Sequence, residues 1–506
     1  MLQKARREGW KSTWDAVQTK LDSSLPVGYS SAGTVLAVGD GSSPFRVGDR
    51  VACGGGGYAT HSEIAFVPYN LCARIPDGVA AEAAAFATIG AVGLHGLRLG
   101  RVEFGGSVAV IGLGIIGQIV VQAARAAGLR VVAIDRDASR VALATANGAE
   151  VGAVLGKDDP AQVVARLTSD TGVDAAIITA ATESNDPLIL GAQCCRDRGR
   201  VVAVGAIGLD VPRKMFFEKE LELVVSRSYG PGRYDPVYEE HGVDYPLGYV
   251  RWTEQRNLET FVQLAATGGL QMAPLITHRF PIADAASAYN LITGEQKEPF
   301  LGVTLSYPAA PKADKAVMVR SAPAARAGMA KVGVAVIGAG NYARMVLLPR
   351  LAKMAHVRLV AVTSAGGVSA LDAARQFGFE RAATGHEDVI ADPAVQCVII
   401  ETRHNLHAEI AEQALKAGKA TFIEKPLALT EDQLKRVASA WVAGGRPAAT
   451  VGFNRRAAPM IGALRQFQSG RRGPWIITLR VNAGFIPDTS WVVDPDVGGG
   501  RLLGEG

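Results

Sequence analysis

Cysteine is scarce in this chain and badly spaced for either of its structural roles. The five residues, Cys53, Cys72, the adjacent Cys194 and Cys195, and Cys397, are odd in number and form no C-x-x-C pair. That pattern argues against a disulfide framework and a structural zinc knot, and implies a reducing cytoplasm. An excess of one charge is missing as well. The 53 basic and 48 acidic residues leave a net +5 with no long basic run, so nucleic acid is not an expected partner. Nor does any stretch read as a membrane span. The uncharged run Phe104 to Ala124 comes closest, but five glycines break it. The first residues, MLQKARREGWKSTW, lack the apolar core of a signal peptide.

What is present is length, ordinary apolarity and glycine. At 506 residues the chain exceeds one hydrophobic core, so two to four domains are expected, and an apolar fraction of 48% excludes general disorder. The stretch Val108 to Asp135 reads as a strand, a glycine turn, a helix and a second strand. Gly112, Gly114 and Gly117 have the G-x-G-x-x-G spacing that lets backbone turn sharply beside a pyrophosphate, with Ile115 and Ile116 opening a helix whose positive end faces that phosphate. Asp135 ends the second strand, where a carboxylate accepts hydrogen bonds from the adenosine ribose. Two like charges about 4 Å apart repel by roughly 4 kcal/mol at an effective dielectric near 20, so NAD is expected here rather than a 2′-phosphorylated cofactor.

The same arrangement recurs later. Gly338, Gly340 and Ala343 give G-x-G-x-x-A, enclosing Asn341 and Tyr342, and the following strand ends at Ser364 without an acid. NAD and NADP both remain open at this second site.

Around these turns the chain changes texture several times. Residues 1 to about 25 read as a polar helix. Short β-runs cut by glycine follow to Pro76, suited to an antiparallel barrel, and then an alanine-rich helical stretch from Ala80 to Leu99. Gly28-Tyr29-Ser30, Gly33-Thr34-Val35, Val38-Gly39, Gly48-Asp49-Arg50-Val51 and the first glycine turn together resemble the medium-chain alcohol dehydrogenase and quinone reductase superfamily over residues 26 to 307. The resemblance implies a GroES-like catalytic barrel beside a Rossmann sheet, with Ala180, Gly205 and Ala206 against the nicotinamide half of a cofactor. Zinc members carry Gly-His-Glu where this chain has Gly28-Tyr29-Ser30, and a cysteine upstream that it does not have. No metal site is therefore expected, although Cys53, His61 and Glu63 offer a substitute set, with His61 and Glu63 on one face of a strand. Tyr29 and Ser30 are candidates to hydrogen-bond the reacting oxygen, with Thr88 and His95 nearby.

Between Ser226 and Trp252 lie five tyrosines with Arg227, Arg233 and Arg251. They read either as a loop facing an anionic, sugar-linked ligand or as a packed lid or oligomer contact.

Beyond a Pro- and Ala-rich linker the second half resembles the glucose-fructose oxidoreductase and inositol dehydrogenase (Gfo/Idh/MocA) family over residues 331 to 506. IIETRHNLHAE, FIEKPLA and VGFNRR carry the likeness. It implies that Lys425 orients a sugar hydroxyl and stabilises its alkoxide, that His407, more than His404, contacts cofactor or substrate, and that Thr402, Glu424 and Pro426 border the cofactor. The family's terminal histidine after a segment like Gly498-Gly499-Gly500 is not reached, and the barrel's first strands do not precede Gly28. Both ends thus look clipped, similar to fused dehydrogenase pairs found beside polysaccharide biosynthesis enzymes.

The expected fold class is α/β, with two doubly wound parallel sheets. The domains are a partial GroES-like domain (1–98), a Rossmann domain (99–307), a linker (308–330), a second Rossmann domain (331–450) and the start of an α+β substrate domain (451–506). The expected function is NAD(P)-dependent hydride transfer at a C–OH or C=O group in both halves, on a sugar or nucleotide-sugar, by a homo-oligomer without a membrane partner. The competing reading is a dinucleotide-binding regulatory or assembly protein that has lost its catalytic groups.

Overall fold

A computed structural model describes residues 26–39, 43–308, 316–320, 331–474 and 490–505, with 476, 478, 480 and 485–487. The helix expected over residues 1 to about 25 lies outside them. The chain divides into two compact units, one over residues 26–311 and one containing 312–506.

The first unit opens with a three-stranded antiparallel sheet, β1 (Ser30–Thr34), β2 (Arg50–Gly54) and β3 (Cys72–Arg74), in which Ser31 pairs with Cys53 and Cys53 with Cys72. Helix α1 (Ala87–Leu99) follows. Its Gly90 permits close packing on helix α3 (Glu254–Ala266), because a Cβ there would stand 2.0 Å from the ring of Phe261.

Six parallel strands then form one sheet: β4 (Ser107–Ile111), β5 (Arg130–Asp135), β6 (Val151–Val154), β7 (Val173–Ile178), β8 (Cys195–Ala203) and β9 (Glu222–Val225). Their order is β6-β5-β4-β7-β8-β9. Every residue of β4 is buried, as a central parallel strand covered on both faces requires. Val108, Val110 and Val131 pack with helix α2 (Ile115–Ala126) on one face, while Ala109, Ile111 and Val132 pack with Val164 and Leu188 on the other. The order reverses between β4 and β7, so a crevice opens at their carboxyl ends. A parallel pair, β10 (Ile276–Pro281) and β11 (Gly302–Ser306), completes the unit.

The second unit repeats this topology. Strands β12 (Ala316–Met318), β13 (Val332–Ile337), β14 (Val357–Thr363), β15 (Arg381–Ala383), β16 (Cys397–Ile400), β17 (Ala420–Ile423) and β18 (Ala449–Val451) order as β12-β15-β14-β13-β16-β17-β18. The reversal falls between β13 and β16. Strand β12 is antiparallel to β15 and lies inside the stretch read as a linker, where three apolar residues extend the sheet edge.

One charge is buried away from any crevice. Glu254, first residue of α3, is 0% exposed, and neither carboxyl oxygen has a well-formed hydrogen bond among the described residues. Burial first, then the charge of Glu239, pushes its pKa up to about 9. The folded chain therefore keeps a proton that the unfolded chain releases in the ordinary carboxylate range, so stability falls as pH rises from that range through about 9. Glu254→Gln should abolish this slope and raise the first unit's thermal midpoint at pH 9 by roughly 3 °C or more. Equal midpoints of wild type and variant from pH 5 to 9 would contradict it.

Candidate functional site

In the first unit β4 runs straight into the glycine turn. Gly112 has φ +92°, and a Cβ there would lie 2.5 Å from the amide nitrogen of Ala180. A Cβ at Gly117 would meet the carbonyl oxygen of Gly112 at 2.0 Å. Both positions therefore demand glycine. Gly114 differs, with nothing within 4 Å of its Cβ position. It is the N-cap of α2 and supplies no side-chain cap, so the helix's first amides, Ile115 and Ile116 among them, are left for a ligand. Asp135 accepts hydrogen bonds from the amides of Leu113 (2.5 Å) and Asp137 (2.9 Å), which ties the end of β5 to the turn. Gly205 packs under Ala180, where a Cβ would stand 1.9 Å from that carbonyl oxygen. The residues expected to border the cofactor thus converge on one crevice.

A cavity of about 770 Å³ reaches this crevice at Ile115 and is lined further by Gly28, Tyr29, Ser30, His61 and Tyr289. Ser30 is committed to the fold: its hydroxyl donates to the carbonyl of Ala85 (2.6 Å) and accepts from the amide of Thr88 (3.3 Å). Thr88 is buried, with its hydroxyl on the carbonyl of Tyr29. His95 is not among the residues lining the cavity.

The strand expected to carry His61 and Glu63 does not form. Gly55 and Gly57 turn the chain with φ +110° and +89°, and residues 58–68 run as turns and bends. His61 instead tucks beneath Gly28, and its Nδ1 lies 3.2 Å from the hydroxyl of Tyr289. Sequence reasoning missed this pairing, because 228 residues separate the partners. Burial lowers the His61 pKa, favouring a neutral ring. Cys53 faces Cys72, sulfur to sulfur at 3.8 Å, and Glu63 is exposed. Among the described residues no three His, Cys, Asp or Glu side chains cluster as metal ligands. The donor set does not fit zinc.

Many of the aromatic and cationic residues of 226–252 contact one another or their neighbours. Arg233 pairs with Glu239 (2.6 Å) and covers the ring of Tyr234, Tyr238 stacks on Tyr245, and Arg98 and Arg251 both lie over Trp252. None lines the cavity. Several of these side chains thus engage one another, while Tyr234 and Tyr249 stay exposed.

In the second unit Gly338 has φ +107°, with its Cβ position 2.4 Å from the carbonyl oxygen of Glu401, whereas Gly340 is open. Ala343 is buried, the hydroxyl of Tyr342 accepts from Asn454 (3.0 Å), and Asn341 is exposed. Ser364, just past β14, accepts hydrogen bonds from the amide of Ala370 and the hydroxyl of Ser369. Thr402 follows β16, and Glu424-Lys425-Pro426 follows β17, so the motif stands at the carboxyl edge bordering the turn.

His407 must be corrected. It is 0% exposed on helix α4 (His404–Lys416), with Nδ1 2.8 Å from the carbonyl oxygen of Pro426 and Nε2 3.1 Å from that of Thr402. It cannot touch substrate; it braces the two loops that flank the crevice. His404 is tethered to the carbonyl of Gly498 (2.8 Å) and edge-on to Trp491. His407→Ala should destabilise the second unit by roughly 1–3 kcal/mol, the cost of the lost packing and of the one buried carbonyl to which the neutral ring donates. A denaturant midpoint equal to wild type would refute the bracing role.

Residues 332–453 match the oxidoreductase family with an NAD-binding Rossmann fold (Gfo/Idh/MocA), and residues 116–240 match the zinc-binding dehydrogenase family. The sorbitol dehydrogenase of Mus musculus is 26% identical over 53% of this chain and 76% of its own length. The levoglucosan dehydrogenase of Pseudarthrobacter phenanthrenivorans is 33% identical over 33% of this chain and 44% of its own length. Among solved structures, the alcohol dehydrogenase TADH from Thermus sp. ATN1 aligns over 58% of this chain and 88% of its own at a TM-score of 0.46 and 22% identity. The two family matches fall on the two glycine-turn crevices in turn, so the chain joins a module similar to the zinc-binding dehydrogenases to one similar to the Gfo/Idh/MocA oxidoreductases, an NAD(P)-dependent oxidoreductase of CH–OH groups.

Proposed function

We propose that each module moves hydride between a nicotinamide and a carbon bearing a hydroxyl or carbonyl, on a polyol in the first module and a sugar in the second. The observation carrying this reading is the pair of glycine turns at the two points where strand order reverses, each with its middle glycine open. Relatives named for sorbitol and levoglucosan supply the substrate class.

The bound nicotinamide would supply or accept the hydride; the protein's part is positioning and charge. In the first module Gly112, Gly114, Gly117, Ala180 and Gly205 would cradle the cofactor, with Asp135 selecting NAD over NADP by repelling a 2′-phosphate. Tyr29 would hydrogen-bond the reacting oxygen, with Ser30 holding the start of α1 behind it. His61, kept neutral by burial and bonded to Tyr289, would take the released proton within the same cavity.

In the second module Gly338, Gly340, Asn341, Tyr342 and Ala343 would hold the diphosphate. Ser364 would meet the ribose without excluding NADP, and Thr402, Glu424 and Pro426 would border the nicotinamide half. The Lys425 ammonium would orient the hydroxyl and stabilise the developing alkoxide.

The test is nicotinamide reduction, followed by absorbance, with sorbitol and with levoglucosan, offering NAD and NADP separately. We expect sorbitol to require NAD and levoglucosan to proceed with at least one cofactor. Failure of both alcohols with both cofactors would overturn the polyol and sugar assignment.

A further inference from the structure

Two acidic residues stand at neighbouring strand ends beside the second crevice, and the mechanism above assigns neither a proton. Glu401 and Glu424 directly follow β16 and β17, whose last residues, Ile400 and Ile423, are register partners. Neighbouring strands thus deliver one carboxyl each to the same edge of the sheet. The first glycine of the turn packs on the backbone of Glu401, and a Cβ at Gly452 would lie 2.6 Å from Oε2 of Glu424. Glu401 Oε1 and Glu424 Oε2 are both closed off from solvent and without a hydrogen-bond partner among the described residues.

The charged and titratable groups facing the pair are Tyr342 from the glycine turn, its hydroxyl already occupied by Asn454, and Lys425 beside Glu424. Burial, followed by the charge of Glu424, pushes the pKa of Glu401 up to about 8, and burial also raises that of Glu424. Two buried carboxyls at neighbouring strand ends do not both ionise readily; the pair keeps one proton.

A dinucleotide brings a doubly anionic diphosphate to the glycine turn whose first residue, Gly338, packs on the backbone of Glu401. Resting on the cofactor reading of this crevice, we infer that Glu401 and Glu424 share one proton in the state of the second module that binds dinucleotide. Glu401 then acts as a hydrogen-bond donor, and binding draws a proton from solvent whenever the pair has lost it. No residue type at this position is needed for hydride transfer itself. Its effect is on which protonation state accepts the cofactor.

The experiment is calorimetric titration of NAD into the full chain carrying Gly114→Val, which leaves the second site to be read alone, at pH 7 and 9 in buffers of different ionisation enthalpy. The expected result is proton uptake approaching one per NAD at pH 9, with affinity falling about tenfold between pH 7 and 9. Glu401→Gln and, independently, Glu424→Gln should abolish the uptake and flatten the affinity over that range. Binding without proton uptake, or uptake that persists in Glu401→Gln, would overturn the inference. No binding at either pH would instead overturn the cofactor reading beneath it.

Discussion

Replacing Lys425 by alanine lowers kcat for sugar-dependent nicotinamide reduction by the second module roughly 100- to 1,000-fold, with dinucleotide still bound. The magnitude follows from where the ammonium acts. Hydride leaves a carbon only as its oxygen gains negative charge, and a fixed cation beside that oxygen in a crevice partly closed to water stabilises the charge more than solvent does. The surroundings support a cation in this place, because its charge reaches His404, whose pKa falls through burial and then through Lys425. Lys425→Arg should recover part of the rate, since the charge remains while its point geometry does not. Full turnover by Lys425→Ala would remove the lysine from the mechanism.

Gly114→Val gives a protein that folds and has lost its first cofactor site, with dinucleotide affinity there reduced roughly 100-fold or more, about 3 kcal/mol. The open space around this glycine separates binding from folding. With nothing within 4 Å of its Cβ position, valine adds bulk only to the space above the first amides of α2, where the diphosphate must lie. Gly340→Val does the same in the second module, whose Cβ position is equally open. Gly117→Val is the contrasting control. Its Cβ would enter the Gly112 carbonyl at 2.0 Å, so binding and stability fall together. Equal NAD affinity in wild type and Gly114→Val would show that the first crevice is not the cofactor site.

Much of this was legible in the chain because parallel sheets write themselves in local patterns. A buried strand such as β4 is a continuous apolar run. A dinucleotide turn fixes glycines by steric demands between residues only a few positions apart, as Gly112 and Gly117 show. Long-range partnership was not legible. His61 looked like a metal-ligand candidate until Tyr289 claimed it, and Ser30 looked reactive until Ala85 and Thr88 bonded it. His407 sat at a family position for contact, yet its ring faces two carbonyls inside the protein. Among the tyrosines and arginines of 226–252, composition did not show which would pair, as Arg233 does with Glu239 and Tyr238 with Tyr245. Glu401 gave no signal at all, because an acid after a strand becomes unusual only when a second acid is placed beside it. Even the edge strand β12 was hidden, since three apolar residues in a Pro- and Ala-rich stretch show no period to read.

Native mass spectrometry of the full chain with excess NAD tests the central claim most directly by counting cofactors. Two crevices predict two NAD molecules per chain, one in each single variant Gly114→Val and Gly340→Val, and none in the double variant. A wild-type chain that saturates at one NAD, or a double variant that still binds two, would contradict the account.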